Sequence, residues 1–172
     1  MQEKATNPII VKRAAEIWKR AMAAPIYNNL GPGEVHVPSM FVNALMSTAP
    51  KNNTPEILEK FAAELEKRLL APVTSRSGDW TYFQNSLCVD YHPDPMLKES
   101  ADAAGLKMDF PIKTSMYMQD DCVGFAMGYG KPMQYHYPLS GGRWVITDLR
   151  GDDMQIIIGL IERGIDVGLT VE

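Results

Sequence analysis

Residues that usually mark metal sites or catalysis are scarce in this sequence. Among 172 residues there are two cysteines, Cys88 and Cys122, and three histidines. The cysteines form no CxxC pair, and the histidines form no HxH, HxxxH or HExxH pair. The sequence alone leaves open whether the two cysteines are bridged. Because no known ligand spacing occurs, we expect neither a metal nor another cofactor.

Long apolar runs are also missing. No uninterrupted apolar stretch approaches the roughly 18 residues that a membrane-spanning helix needs. No cationic segment followed by an apolar run opens the sequence either. We therefore expect a cytoplasmic protein with no membrane partner, whose thiols are reduced.

Positive charge is in slight deficit. The chain has 17 Lys and Arg against 21 Asp and Glu, which gives a formal net charge of -4. Binding of a phosphate backbone normally needs a clustered excess of basic residues, so we expect no nucleic-acid partner. One local basic group occurs near the start of the chain, and Glu16 among its members favours a solvated helix face. Its members are Lys12, Arg13, Lys19 and Arg20.

The remaining composition is that of an ordinary globular domain. Hydrophobic residues make up 45% of the chain and charged residues 22%, which is far from the composition of disordered proteins. A chain of 172 residues is long enough to bury a core and fits one domain. We predict a single domain over residues 1–172, with a helical portion at 1–72 and a mixed sheet portion at 79–172.

Two helices in the first portion are marked by a capping residue followed by proline. Asn7 and Pro8 open the first, and Thr54 and Pro55 open the second. In both, apolar residues recur every three or four positions until the next proline. The predicted segments are a helix that ends at Pro25, a connection at 27–38, a short helix at 39–48 and a helix that ends at Pro72.

Beyond residue 79 the apolar period changes from 3.6 to 2, which is typical of half-buried strands. A helix between Asp94 and Gly105 interrupts the strands, and another opens at Asp152 and Asp153. Short connections between the later strands permit only antiparallel neighbours. The predicted strands are 80–90, 112–118, 122–129, 133–139, 143–149 and 165–171.

These elements predict an α+β fold. Its form is a two-layer sandwich, in which the N-terminal helices pack with a mainly antiparallel sheet. The meander at 112–149 forms most of that sheet, and a C-terminal helix and strand complete it.

Imidazole and carboxylate groups near the predicted strands are candidates for acid/base chemistry. The main candidates are Asp90, His92 and His136, with Asp94 and Asp148 beside them. Such chemistry needs these groups to converge within hydrogen-bond distance, which sequence spacing cannot establish. The alternative is that each satisfies local hydrogen bonds, and that His136 is a half-exposed strand histidine between two tyrosines.

Residues 129–150 combine tyrosine, tryptophan and arginine at high density. Such a mixture is typical of recognition surfaces, because aromatic rings give contact area at little entropic cost and arginine adds planar hydrogen bonding. The alternative is that the tyrosines pack on a helix with their hydroxyls reaching water. The candidate binding residues are Tyr129, Lys131, Tyr135, His136, Tyr137, Arg143, Trp144 and Arg150.

Three functional hypotheses remain open. The first is a binding protein without catalysis of its own, which presents this Tyr/Trp/Arg-rich surface to a protein or a small molecule, as a monomer or a homo-oligomer. The second is a small hydrolase, lyase or transferase that uses Asp90, His92 and His136. The third is a self-assembling structural subunit.

Overall fold

The computed structural model describes residues 7–23, 53–71, 86–90, 92–106, 113–128 and 130–172. Within these ranges the chain forms four α-helices and one six-stranded sheet. The helices are α1 (Pro8–Ala23), α2 (Pro55–Leu70), α3 (Pro95–Ala104) and α4 (Asp153–Glu162). The strands are β1 (Ser86–Val89), β2 (Thr114–Met118), β3 (Val123–Ala126), β4 (Gln134–Pro138), β5 (Trp144–Thr147) and β6 (Thr170–Val171). The predicted connection at 27–38, the short helix at 39–48 and the first part of the strand at 80–90 lie outside the described residues.

The first three helices begin at the capping residues that the sequence predicts. In each case a side-chain oxygen accepts a hydrogen bond from an amide of the first turn, which would otherwise have no partner. The acceptors are Asn7 Oδ1 (3.1 Å), Thr54 Oγ1 (3.3 Å) and Asp94 Oδ1 (2.9 Å). Gly105 ends α3 with a φ of 74°, in the left-handed region that glycine tolerates. Local chemistry therefore sets these helix ends.

The six strands pair in chain order, each antiparallel to its neighbour. The predicted meander at 112–149 is confirmed. A 3-10 turn at Ser140–Gly142 joins β4 to β5, and its Gly141 and Gly142 have φ values of 71° and 73°. Strand β6 is shorter than the strand predicted at 165–171, because Gly168 has a φ of 74° and only the last residues of this segment pair with β5.

Alternation along the strands gives the sheet an inner face, which packs against α1, α2 and α3. Inner-face residues pair across neighbouring strands, as Met116 does with Phe125 and Met118 with Val123. Trp18 of α1 meets Phe125 edge-on, with ring centroids 5.6 Å apart. This layer of helices on an antiparallel sheet confirms the predicted α+β fold.

Helix α4 packs on the opposite, outer face of the sheet, over β4 and β5. Its Met154 and Ile161 are buried there with Tyr137 and Val145. Helix α4 therefore adds a partial cover beyond the two main layers. None of the described helices covers the outer face of β1, β2 and β3.

Candidate functional site

The structure does not bring the predicted acid/base residues together. Asp90 follows the end of β1 and pairs with Lys113, whereas His136 lies in β4. Three strand spacings separate β1 from β4, a distance of ~14 Å. His92 is exposed in the connection from β1 to α3. The further candidates are Asp94, which caps α3, and Asp148, which is exposed after β5. These residues therefore do not share one concavity.

His136 is a buried hydrogen-bond acceptor, which differs from the half-exposed histidine considered above. The residue is only 8% exposed and lies on the inner face of the sheet. Its Nδ1 accepts from Nε and Nη2 of Arg13 at 3.1 and 2.9 Å. Burial, and after it the charge of Arg13, lower the pKa of His136 to about 4. Because a guanidinium only donates, the ring is neutral at pH 7 and joins α1 to the sheet.

The predicted solvated face of α1 is wrong for Arg13, which is 6% exposed. Arg13 lies three residues after Ile10 and four before Ile17, so it falls on the buried side of the helix. Its Nη2 is 2.6 Å from Glu172 Oε2, and its guanidinium lies 4.9 Å from the centroid of Trp144. These partners, together with the histidine, compensate for burying the charge. They come from distant parts of the chain, and for that reason the local charge pattern did not reveal them.

The predicted aromatic surface is divided between the two faces of the sheet. Tyr135 and Tyr137 lie on the outer face, whereas His136 and Trp144 lie on the inner face, because successive strand residues alternate. Tyr137 is 2% exposed beneath α4 and belongs to the core. Tyr129 lies outside the described residues. Of the predicted binding residues with aromatic rings, Tyr135 is the one that the structure describes as half-buried on the outer face.

The two predicted arginines make different contacts. Arg143 lies in the turn between β4 and β5, where its Nη2 is 3.3 Å from Glu162 Oε2 of α4. The guanidinium of Arg150 lies 5.7 Å from the ring centroid of Tyr135, and its Nη2 donates to Gln119 Oε1 at 2.9 Å. Arg143 thus joins a turn to a helix, while Arg150 extends the polar border of the outer face.

The part of the outer face over which no described helix lies contains a concavity of about 400 Å³. Its floor is a row of three small side chains, in which Cys88 pairs with Ser115 and Ser115 with Ala126 across β1, β2 and β3. Larger residues stand around this row and make the surface concave. They include Asp90, Lys113, Tyr117, Lys131 and Met133. Of the predicted binding residues, Lys131 therefore lies in this concavity.

Gly124 lets the wall of the concavity stand close to the sheet. It lies in the next row of the outer face, between Tyr117 and Tyr135. A Cβ at this position would be 3.1 Å from Cε1 of Tyr135 and 3.2 Å from Sδ of Met133. The two side chains occupy the space that a larger residue would fill. Tyr135 therefore lies across the sheet beside the concavity.

The two cysteines are free and differ in environment. Cys88 is partly exposed in the floor of the concavity, whereas Cys122 is buried near α4. Burial, together with the neighbouring Asp121, raises the pKa of the Cys122 thiol to about 11. Strand alternation already placed Cys88 on the side opposite Leu87. No sequence signal indicated that this side would lie beneath none of the described helices.

Comparisons with known proteins do not name a class for this chain. No protein-family model matches the sequence, and no curated protein matches it.

Among the residues that the structure describes, no three His, Cys, Asp or Glu side chains form a group that could hold a metal ion. Within the same ranges, no helix is both long and apolar enough to cross a membrane.

Proposed function

We propose that this protein is a small binding module without chemistry of its own, and that its ligand site is the outer-face concavity over β1, β2 and β3. The observation that carries this proposal is the row formed by Cys88, Ser115 and Ala126, over which no described helix lies. Ligand sites typically have volumes of roughly 300–1,000 Å³. The concavity, at about 400 Å³, is large enough for a small organic molecule.

The lining favours a ligand with a flat apolar part and one acidic group. Tyr117 is 43% exposed and offers a ring face, and Met133 adds a polarizable apolar side chain. Among the described lining residues, Lys113 and Lys131 carry positive charge and Asp90 carries negative charge. An acidic group on the ligand would compete with Asp90 for Lys113. A reducing compartment such as the cytoplasm suits this site, since Cys88 then keeps a free thiol.

The native Cys88 thiol allows a direct test by disulfide exchange. Each probe is a disulfide of cysteamine whose amine is acylated by a benzoic or phenylacetic acid. That acid carries a second carboxylate, which stays free, and a matched probe carries a neutral amide in place of this carboxylate. We expect Cys88 to capture the carboxylates in preference to the amides, measured by intact-protein mass under partly reducing conditions. The matched control is the double variant Ser86→Cys with Cys88→Ser. It moves the thiol two residues along the same strand face, ~7 Å from the floor of the concavity.

Two further variants separate the site from its thiol. Ser115→Leu fills the floor and should abolish selective capture, while the melting temperature shows whether the fold is kept. Lys131→Gln should reduce the preference for carboxylates, and Lys98→Gln, which changes an exposed lysine of α3, should not. If the thiol at residue 86 captures the same compounds as strongly as Cys88, the concavity is not a ligand site.

A further inference from the structure

Helix α4 is apolar on more sides than its contact with the sheet requires. Met154 and Ile161 are buried against the outer face, yet Ile156 is 65% exposed. Two more large exposed apolar residues, Leu149 and Ile165, flank this helix in sequence, and exposed Val171 pairs with Val145 in the sheet beneath it. A helix with apolar residues on opposite sides is typical of one that is covered on both sides.

The side of α4 that points away from the sheet follows a simple pattern. Asp152, Ile156, Gly159 and Arg163 are spaced by four, three and four residues, so they form one stripe along the helix. This stripe lies opposite the side on which Met154 packs. We name these four residues the α4 stripe.

Gly159 is not explained by contacts with the described residues of the chain. Glycine is unfavourable inside a helix, and it is usually kept where a side chain would collide with something. A Cβ at Gly159 would meet nothing within 4 Å. The α4 stripe therefore has a shallow hole at this position, one turn from the exposed side chain of Ile156.

The two ends of the α4 stripe carry opposite charges. Asp152 stands at the N-terminal end, and its side chain makes no capping hydrogen bond. Arg163 stands at the C-terminal end, where its Nε donates to the carbonyl of Gly159 at 3.2 Å. Neither side chain forms an ion pair with any other described residue of the chain. Each charge is thus available to an opposite charge from outside the chain.

We propose that two copies of this chain associate through α4, as an antiparallel helix pair around a twofold axis. In that arrangement Asp152 of each copy faces Arg163 of the other, and Ile156 of each copy enters the hole at Gly159 of the other. When the α4 stripe is reversed onto itself, each charge meets its opposite and the Ile156 side chain meets the hole at Gly159. Such matching of a surface with its own copy is what an isologous interface requires. This self-complementarity identifies the partner as a second copy.

The dimer should be weak. A ten-residue helix is ~15 Å long, so α4 and its flanking apolar residues bury less than the ~800 Å² per partner of a standard interface. We therefore expect a monomer–dimer equilibrium that shifts with protein concentration. The concavity over β1, β2 and β3 lies on other strands, so this inference is independent of the proposed ligand site.

Sedimentation velocity of the full chain, at concentrations up to ~1 mM, tests the interface. The unmodified protein should sediment faster as its concentration rises, and Ile156→Glu should remain a monomer throughout. Ile9→Glu, which changes an exposed isoleucine of α1, is the matched control and should dimerise normally. Circular dichroism checks that every variant is folded.

Charge reversal gives the sharper result. Asp152→Arg and Arg163→Asp should each weaken association by about tenfold, because each creates two repulsive contacts per dimer. The variant that carries both changes should recover the original association. A strictly monomeric unmodified protein overturns the proposal, and so does a dimer that Ile156→Glu leaves intact. Loss of thermal stability in monomeric Ile156→Glu would mean that the chain covers its own stripe, which also overturns it.

Discussion

His136 makes the stability of this protein depend on pH. The ordinary pKa of histidine is 6.5, and burial beside Arg13 lowers that of His136 to about 4 in the folded chain. Between these values the unfolded chain binds a proton at this position and the folded chain does not. The free energy of unfolding therefore falls as the pH drops through this window. Proton linkage gives a loss of ~2 kcal/mol between pH 8 and pH 5, and ~3 kcal/mol in full.

The measurement is urea unfolding from pH 8 to pH 5, followed by tryptophan fluorescence. The comparison is His136→Gln, whose side-chain oxygen can still accept from Arg13 but does not titrate. Arg13 also lowers the pKa of Glu172 below its usual 4.5. Stability from that carboxylate is lost only at lower pH, so the window above pH 5 isolates the histidine. Unfolding free energies of the two proteins that change in parallel from pH 8 to pH 5 would refute this reasoning.

Arg13, Gly124 and the two cysteines each make contacts whose removal or exposure can be measured. Arg13→Met should lower the free energy of unfolding by about 2–4 kcal/mol, because it leaves the buried Nδ1 of His136 unpaired and removes the cation over the Trp144 ring. Lys12→Met should change the free energy of unfolding by less than ~0.5 kcal/mol, and chemical denaturation measures both variants. Ellman's reagent should react quickly with one thiol of the native chain, Cys88, and with buried Cys122 only on unfolding; two fast thiols would contradict the burial difference. Gly124→Ala should lower the free energy of unfolding by about 1–2 kcal/mol, because its Cβ would press on the ring of Tyr135. An unchanged melting temperature would show that this ring moves freely.

Much of the described secondary structure was predictable because its signals are local. Thr54 and Asp94 cap their helices through oxygens that contact amides only two or three residues away. Gly105 ends a helix through its own backbone conformation. The short connections of the meander permitted only antiparallel pairing. Each of these features depends on neighbours in the chain, so the sequence displays it directly.

The candidate site was less predictable because its parts depend on distant residues. The aromatic residues of 129–150 are close in sequence, yet alternation sends Tyr135 and Trp144 to opposite faces of the sheet. Arg13 is charged and flanked by other basic residues, but partners at positions 136, 144 and 172 bury it. Cys88 carried no motif, and it became notable only because no described helix covers its row.

Periodicity and capping act over a few residues, so the amino-acid sequence indicates where the described helices and most described strands lie and which residues share a side of each element. Which of those sides became buried depended on tertiary packing. It placed α1 over His136 and α4 over Tyr137, and it left the row of Cys88 without a described helix. Burial depends on which elements meet in space, and that pairing involves residues more than a hundred positions apart.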